Sequence, residues 1–436
     1  MILTSPAAGQ ELRNHGRERE HQLSEGQARW STLPGMTSSA LPPTLRLDHH
    51  EPLALTFTAQ VLAVQEGLVA LDRSAFYPQG GGQNADTGWL SAGEQRWAVA
   101  DTALDKGTGV VWHTLSENDL PAVGTQVTGE LDAPRRLRQM ARHTGEHLLA
   151  QAFYQVNPAF EVAAVGMRGP DCTLDLRGSP NVKDAQAAEA LLRELLVAGP
   201  LPLHTRLVPH TDLAAYGLRR ETTLTGDVRL VMFGDEQAPF DVSACAGCHL
   251  PLGNLAAPIT VLGMERIKAG LTRVTFRTGP EAAEYLGQVY RDTRALAQSF
   301  STSPEGLTGR VEALRAERST LAAENTALRE ALAGALVQAS PLREVGKVTL
   351  RLLNLPDAAL LAPALSDLEM GEVRAAVAGS RCGVASAAEG VNASEVLRSA
   401  LETCGGRGGG HATLAQGQVE RSEDFLDLIA RRIGEA

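Results

Sequence analysis

The segment Arg142-His143-Thr144-Gly145-Glu146-His147-Leu148-Leu149 carries two histidines four residues apart, inside a run (residues 135–156) with helical spacing of its apolar positions. Roughly 100 residues later, the segment Cys245-Ala246-Gly247-Cys248-His249 places further metal-ligand types on a glycine-containing loop. On a helix the two histidines share one face, and a Cys/His pair on a tight loop can complete a tetrahedron around Zn²⁺. The two segments therefore predict that a helix and a distant loop meet around one ion.

Each segment has another interpretation when it is taken alone. His143, Glu146 and His147 match the H-x-x-E-H order of inverted zinc peptidases, in which the glutamate is the general base. Cys245, Cys248 and His249 match the C-x-x-C-H signature of covalent haem attachment. Haem of that type accompanies export, and the first 35 residues contain no apolar run of signal-peptide length, so we do not expect haem. Paired histidines together with a separate Cys/His pair favour a metal site.

Length and composition indicate a globular protein with several domains. The chain has 436 residues, enough for two to four domains, of which 43% are hydrophobic and 21% charged. It contains no apolar stretch of membrane-spanning length, so we expect no membrane partner and a cytoplasmic location. Five cysteines in so long a chain indicate reduced thiols and a metal rather than a disulfide framework.

The charge pattern bears on the choice of partner. A formal net charge of −11 argues against non-specific binding of nucleic acid. Arginine and lysine nevertheless cluster around the two metal-ligand segments, which favours a polyanionic substrate or a specific RNA partner. The clusters are Arg135, Arg136, Arg138 and Arg142; Arg219 and Arg220; and Arg266, Lys268, Arg273 and Arg277.

The predicted fold class is α+β, in five regions. Residues 1–43 are polar and lack a sustained apolar period, so we predict a disordered extension, with Met36 as an alternative start. Short β-prone runs separated by glycine-rich turns predict a small barrel-like β subdomain over residues 44–133. Residues 134–279 form the predicted α+β metal-binding core, residues 280–338 a helical hairpin, and residues 339–436 a C-terminal α/β domain.

Leucines recur every seven residues in the second half of the predicted hairpin. They are Leu307, Leu314, Leu321 and Leu328, with Val311, Asn325 and Leu332 on the alternate seam. This repeat is typical of a coiled coil with one polar seam position. We expect the helix to pair with the helix before it or with a second chain, so that a homodimer could form through this helix or through the C-terminal domain.

A third motif runs from Phe76 to Gly88, with the sequence F-Y-P-Q-G-G-G-Q-N-A-D-T-G. Its three consecutive glycines permit positive φ and close approach of backbone N–H groups to a ligand. The motif lacks the G-x-x-x-x-G-K-[ST] pattern, so it does not indicate binding of nucleoside triphosphates.

Together these motifs resemble the editing domain of alanyl-tRNA synthetase and its free-standing relatives, the alanyl-tRNA editing proteins of the long form. The resemblance rests on residues 76–88, 110–113 (V-V-W-H), 142–149, 245–249 and 265–267 (E-R-I). The C-terminal part, with residues 278–286 and the glycine-rich 408–417, resembles the appended domain that this synthetase shares with DHH-type phosphoesterases. No stretch resembles the aminoacylation domain.

The resemblance implies zinc-dependent hydrolysis, in trans, of the ester between serine or glycine and tRNA for alanine. It implies one Zn²⁺ per chain, bound by His143, His147, Cys245 and His249. The residues implied in catalysis are Gly81, Gly82 and Thr87, with Thr87 contributing to selection of the serine hydroxyl; Glu146, the nearest carboxylate, is added as the candidate base. Those implied in binding mischarged tRNA are Gly80, Gln83, Arg142, Arg407, Gly409 and Gly410.

Two choices stay open at the level of sequence. The family's usual C-G-G-T-H reads C-A-G-C-H here, so Cys248 offers a second thiolate and either cysteine could be the ligand. Glu146 is either a general base or a solvent-facing residue, because it lies about 100° from His147 around the helix. The alternative functions are a metallopeptidase that uses Glu146 and a non-catalytic RNA-binding module that zinc stabilises.

Overall fold

The computed structural model describes residues 41–117 and 119–434. The predicted disordered extension therefore lies outside the described residues, apart from its last three positions, and so does Met36. Leu41 is partly buried against Ala70, Val110 and Trp112, so ordered packing begins before residue 44. The chain divides into two compact units between Arg291 and Asp292.

The first unit combines a barrel, two smaller sheets and long helices. Its strands are β1 (Leu45–Arg46), β2 (Thr56–Gln65), β3 (Leu68–Leu71), β4 (Arg73–Ser74), β5 (Gly88–Ala92), β6 (Gln95–Leu104), β7 (Val111–Leu115), β8 (Gln126–Leu131), β9 (Val162–Gly166), β10 (Cys172–Arg177), β11 (Leu203–Pro209), β12 (Asp227–Gly234), β13 (Pro239–Ala244), β14 (Ile259–Lys268) and β15 (Leu271–Thr278). Its helices are α1 (Leu47–His50), α2 (Ala133–Val156), α3 (Val182–Ala198) and α4 (Gly279–Ser299), with 3₁₀ turns at His210–Tyr216 and Gly253–Ala256. Helix α4 crosses the division between the units.

Six strands close into the barrel, in the order β2-β3-β7-β6-β5-β8. Alternate residues of β2 and β8 are buried, as expected when one face of a strand lines a core and the other faces water. Inside, Phe57, Leu90, Trp97 and Leu131 belong to one buried cluster. The barrel predicted from the short β-prone runs is confirmed, and so is the mixed α+β class.

Helix α2 is the central element of the metal-binding part. Asp132 caps its start by accepting a hydrogen bond from the Arg135 backbone N–H at 3.0 Å. Its second half is buried, and Leu148, Leu149 and Phe153 pack in the same core as strands β10, β12 and β15. The helix predicted over residues 135–156 is thus confirmed, with two more residues at its start.

Two further sheets flank this helix. One has the order β14-β15-β10-β9 and the other the order β11-β12-β13. Gly145 of α2 lets the sheet that contains β15 approach this helix closely, because a Cβ on Gly145 would lie 2.5 Å from Thr278 Oγ1 at the end of β15. Glycine costs a helix interior about 1 kcal/mol relative to alanine, and this contact explains its presence.

The second unit has a six-stranded sheet in the order β16-β17-β18-β19-β21-β20. Its strands are β16 (Arg343–Val345), β17 (Val348–Asn354), β18 (Glu372–Ala378), β19 (Arg381–Ser386), β20 (Gly406–Gly410) and β21 (Leu414–Val419). Its helices are α5 (Leu307–Ala339), α6 (Leu361–Ala364), α7 (Ala393–Cys404) and α8 (Ser422–Gly434), with 3₁₀ turns at Pro304–Gly306 and Ala358–Leu360. Leu397 of α7 and Phe425 and Ile429 of α8 pack on the sheet.

The leucine repeat lies within α5, one continuous helix of 33 residues. Leu321, Leu328 and Leu332 are exposed, whereas Ala333 and Val337 near its end are buried against the unit's core. Pairing of this helix in a coiled coil or a homodimer stays a prediction. Within the described residues, every helix is too short or too polar to cross a membrane.

Candidate metal centre

The four predicted ligands converge on one point in the first unit. One potential ligand atom from each of His143, His147, Cys245 and His249 lies within 4.8 Å of the other three. All three histidines are buried and Cys245 is nearly so. Helix α2 supplies two of these groups and the loop after β13 the other two, so the predicted long-range contact is present.

The two histidines of α2 are oriented through their Nδ1 atoms. Gln83 Oε1 lies 2.9 Å from His143 Nδ1, and Asp241 Oδ2 lies 2.9 Å from His147 Nδ1. Asp241 is buried, and Arg219 Nε lies 3.0 Å from its other carboxylate oxygen. Partners on Nδ1 leave Nε2 directed at the cluster, and such partners commonly orient metal-ligating histidines.

Hydrogen bonds from the loop backbone and from the Arg229 side chain hold the loop side of the cluster. Cys245 Sγ lies 3.4 Å from the Nε2 atoms of both His143 and His249, and the Gly247 N–H approaches the same sulfur at 3.3 Å. Arg229 donates to the carbonyl oxygens of Cys245 at 2.8 Å and Gly247 at 3.1 Å. Glycine is required at position 247, because an added Cβ would overlap the His143 ring.

Cys248 does not belong to the cluster. Its side chain is buried with Met140 and Leu250, and its sulfur lies 3.7 Å from the Asp48 carbonyl oxygen. Burial raises the pKa of this thiol, so it stays protonated at neutral pH. The structure therefore answers the open choice between the two cysteines in favour of Cys245.

The electrostatics of the cluster suit a cation. Burial alone would raise the pKa of the Cys245 thiol, but the His143 ring, helped by a hydrogen bond from His147, outweighs it and holds this pKa well below the ordinary value. Burial lowers the pKa of His249 to about 3, which leaves a neutral ring. Burial would also lower the pKa of His147, but Asp241 and Cys245 raise it to about 10, so an ion must compete with a proton at this ring.

The residues present fit a metal ion. Imidazole nitrogens and cysteine sulfur are the usual protein ligands of zinc, and four of them are enough for a tetrahedral site. The cluster could thus bind a metal ion. Among residues 41–117 and 119–434 we find no other such cluster of His, Cys, Asp or Glu.

The glycine-rich motif forms a tight turn beside the cluster. Gly81 and Gly82 have φ values of 55° and 83°, a region that favours glycine. A Cβ on Gly82 would lie 3.3 Å from Val165 Cγ2 and 3.5 Å from Met167 Cε. Val165 was not predicted to lie here, because nothing in its local sequence distinguishes it from other apolar residues.

After the turn, the chain runs along α2 toward the start of that helix. The Arg135 side chain donates to the Ala85 carbonyl oxygen at 2.9 Å, and buried Arg136 pairs with Asp86 at 2.5 Å. The Thr87 carbonyl oxygen accepts from the Asp132 N–H at 2.8 Å. Gln83 and Thr87 therefore contact positions of α2 eleven residues apart, or roughly 16 Å along the helix axis.

Two predicted residues of α2 have specific surroundings. Glu146 is buried, not solvent-facing, and its Oε2 lies 3.8 Å from His147 Nε2. Arg142 makes a two-pronged ion pair with Glu281, with nitrogen–oxygen distances of 2.7 and 2.6 Å. Binding of substrate by Arg142 stays a prediction, and Glu281 engages two of its nitrogens in this structure.

Comparisons with known proteins link this chain to one family. A family model described as "tRNA synthetases class II (A)" matches residues 50–135, and the DHHA1 domain model matches residues 361–435. The chain is 32% identical over 418 residues to the alanine–tRNA ligase of Pyrobaculum calidifontis, an alignment that covers 93% of this chain and 46% of that protein. The corresponding protein of Pyrobaculum aerophilum is 31% identical over 410 residues, covering 90% of this chain and 45% of the relative.

This chain is a relative of the alanyl-tRNA synthetases. The predicted resemblance to that family is thereby confirmed, from the barrel to the C-terminal sheet. The chain spans less than half the length of the two relatives, 46% and 45%. Among solved structures, the C-Ala domain of Aquifex aeolicus alanyl-tRNA synthetase aligns with 25% identity over 22% of this chain and 96% of that domain, at a TM-score of 0.19 that is too low for an argument about fold.

In this synthetase relative, Arg407, Gly409 and Gly410 lie in the second unit, within the DHHA1 match. They belong to β20, an exposed edge strand that pairs with β21. A Cβ on Gly410 would collide with the Leu414 carbonyl oxygen, so close pairing explains a glycine there. Binding of tRNA by this strand stays a prediction.

Proposed function

We propose that this chain hydrolyses, in trans, the ester that joins serine or glycine to tRNA for alanine, with one zinc ion bound by His143, His147, Cys245 and His249. The observation that carries the proposal is the convergence of these four side chains in a relative of alanine–tRNA ligases. Editing answers a physical limit, because a small amino-acid pocket rejects a substrate that lacks a methyl group or adds a hydroxyl only weakly.

The reaction needs a water molecule to attack the ester carbonyl carbon. The bond from that carbon to the ribose oxygen breaks, the ribose oxygen takes up a proton, and the products are a free amino acid and a free tRNA 3′ end. Zinc, when bound, would act as a Lewis acid and stabilise developing negative charge. Glu146, whose carboxylate lies 3.8 Å from His147 Nε2, would accept the proton of the attacking water.

Other residues of the chain would hold this arrangement in place. Gln83 and Asp241 orient the imidazoles of His143 and His147. The turn at Gly80, Gly81 and Gly82 would present backbone beside the aminoacyl group, with no side chain in the way.

Deacylation assays test the proposal. Seryl-, glycyl- and alanyl-tRNA for alanine are incubated with the wild type, His147→Ala and Glu146→Gln, with zinc content measured on the same samples. We expect the wild type to deacylate the first two, His147→Ala to lose both zinc and activity, and Glu146→Gln to retain zinc and lose activity about 100-fold or more. His210→Ala and Glu194→Gln, both exposed in the same unit, should match the wild type.

A second function has one observation in its favour. Four protein ligands leave no open coordination position, which is typical of structural zinc sites. In that case the protein would be a non-catalytic RNA-binding module. This function would be established if the zinc-loaded wild type binds tRNA but deacylates seryl- and glycyl-tRNA no faster than the spontaneous rate. If the protein instead cleaves a peptide library and leaves seryl-tRNA intact, the metallopeptidase is favoured.

A further inference from the structure

A cavity of about 770 Å³ opens in the first unit along the N-terminal half of α2. Five arginines line it, against the three carboxylates of Asp132, Glu281 and Glu284. The arginines are Arg135, Arg138, Arg142, Arg168 and Arg277. In a chain with a net charge of −11, this excess of positive charge is unusual and marks a site for an anion.

The five arginines differ in what already engages them. Arg142 is paired with Glu281, and Arg277 is paired with Asp171 and lies over the ring of Tyr285. Arg135 donates to the Ala85 backbone carbonyl and lies near enough to the Asp101 carboxylate for an electrostatic interaction.

The two remaining guanidinium groups are open to a ligand. Arg138 and Arg168 are exposed, and neither side chain has a hydrogen-bond or ion-pair partner within the part of the chain that the structure describes. Arginine donates two parallel hydrogen bonds to a phosphate group, so each can bind one phosphate with defined geometry.

The cavity lies next to the metal centre. Asn84 lines it and donates to the Arg168 carbonyl oxygen at 2.9 Å, while the preceding residue, Gln83, contacts His143. Gln139 also lines the cavity, and it lies one helical turn, about 6 Å along the axis, before His143. A nucleotide chain with its end at the metal centre would therefore reach the cavity within its next few phosphates.

We propose that this cavity binds the backbone phosphates that precede the acylated 3′ adenosine, with Arg138 and Arg168 as the phosphate-binding residues. The inference rests on the proposed function, since it takes the acylated end of an RNA to lie at the metal centre. The ligand is the phosphodiester backbone of a single strand, and the contacts carry no base specificity.

Arg138→Gln, Arg168→Gln and the double variant test this inference, with Arg193→Gln on the exposed face of α3 as the matched control. Binding of uncharged tRNA is measured as a function of salt concentration. The slope of the logarithm of the binding constant against the logarithm of the salt concentration is called the salt slope. Each lost phosphate contact should lower its magnitude by about 1, so the double variant should lose about 2, while Arg193→Gln should match the wild type. Arg138→Lys should retain most of the slope, because it retains the charge.

Hydrolysis separates phosphate binding from catalysis. The double variant should show a KM for seryl-tRNA raised about tenfold or more at unchanged kcat, and unchanged kcat/KM on seryl-adenosine, which lacks preceding phosphates. An unchanged salt slope in the double variant would overturn the inference, and so would equal losses on the two substrates. If the wild type hydrolyses neither substrate, the proposed function is wrong. The salt slopes of tRNA binding then still test whether Arg138 and Arg168 bind phosphate.

Discussion

Gln83 and Thr87, in the second half of the glycine-rich segment, have different surroundings, although Thr87 is only four positions after Gln83. Gln83 contacts His143 in the candidate metal centre, whereas the Thr87 backbone contacts Asp132, the residue that caps the start of α2. An extended chain covers about 3.3 Å per residue, so residues of one motif can belong to different sites. Membership of a motif therefore predicts a shared local structure more reliably than it predicts a shared chemical role.

The middle of the segment is fixed by the buried pair of Arg136 and Asp86, so Arg136→Met should disturb both ends. It leaves the Asp86 carboxylate buried without its partner, which costs about 3–5 kcal/mol in the free energy of unfolding. Chemical denaturation measures the loss. Arg135→Met, at a half-buried position with only backbone contacts, should cost about 1 kcal/mol, and equal losses in the two variants would contradict this account.

Gly247→Ala should disturb the candidate metal centre, where Gln83 lies, and leave the surroundings of Thr87 unchanged. The new Cβ overlaps the His143 ring, so the ring or the loop must move, and we expect affinity for zinc to fall about 100-fold together with deacylation. Competition with a chelator measures the affinity. Gly263→Ala is the matched control, because a Cβ there meets no atom within 4 Å, and zinc binding in Gly247→Ala at wild-type affinity would show that the approach of the loop does not matter.

Gln83→Ala should weaken zinc binding less than Gly247→Ala does. It removes the group that orients His143 and leaves all four ligands in place, so zinc affinity should fall about tenfold. The same chelator competition gives the value. Gln95→Ala, on an exposed part of the barrel, is the control, and an effect of Gln83→Ala as large as that of Gly247→Ala would mean that Gln83 does more than orient the ring.

Thr87→Val should have the smallest effect. The family resemblance assigns Thr87 to selection of the serine hydroxyl, but roughly 16 Å of helix separates its contact on α2 from His143. We therefore expect the ratio of deacylation rates for seryl- and glycyl-tRNA to change less than about threefold, or under 1 kcal/mol. A change above tenfold would show that Thr87 reaches the substrate after all.

Sequence patterns anticipated the elements well, and they identified the four side chains that converge in one cluster. Helical periodicity identified α2, and residue spacing identified His143 and His147 as neighbours on one face. The leucine repeat likewise identified α5 as a helix. These signals are local, so one sequence suffices to detect them.

Beyond the meeting of helix α2 with the Cys245 loop, contacts between distant residues were the part that sequence could not supply. Asp241, which orients His147 across 94 positions, lies in no motif, and only its place four residues before Cys245 hints at a role. The choice of Cys245 over Cys248 depends on which way the loop faces. The arginine clusters were visible in the sequence, but it could not show that Arg136 and Arg142 are engaged internally while Arg138 is open.

Zinc content of Cys245→Ser and Cys248→Ser, measured beside the wild type, tests the central claim most directly. Both changes remove one thiol from the same five-residue loop, so they differ only in which sulfur is lost. We predict one zinc ion per chain in the wild type and in Cys248→Ser, and a stoichiometric loss in Cys245→Ser. Equal zinc in all three proteins, or a loss confined to Cys248→Ser, would contradict the metal centre described here.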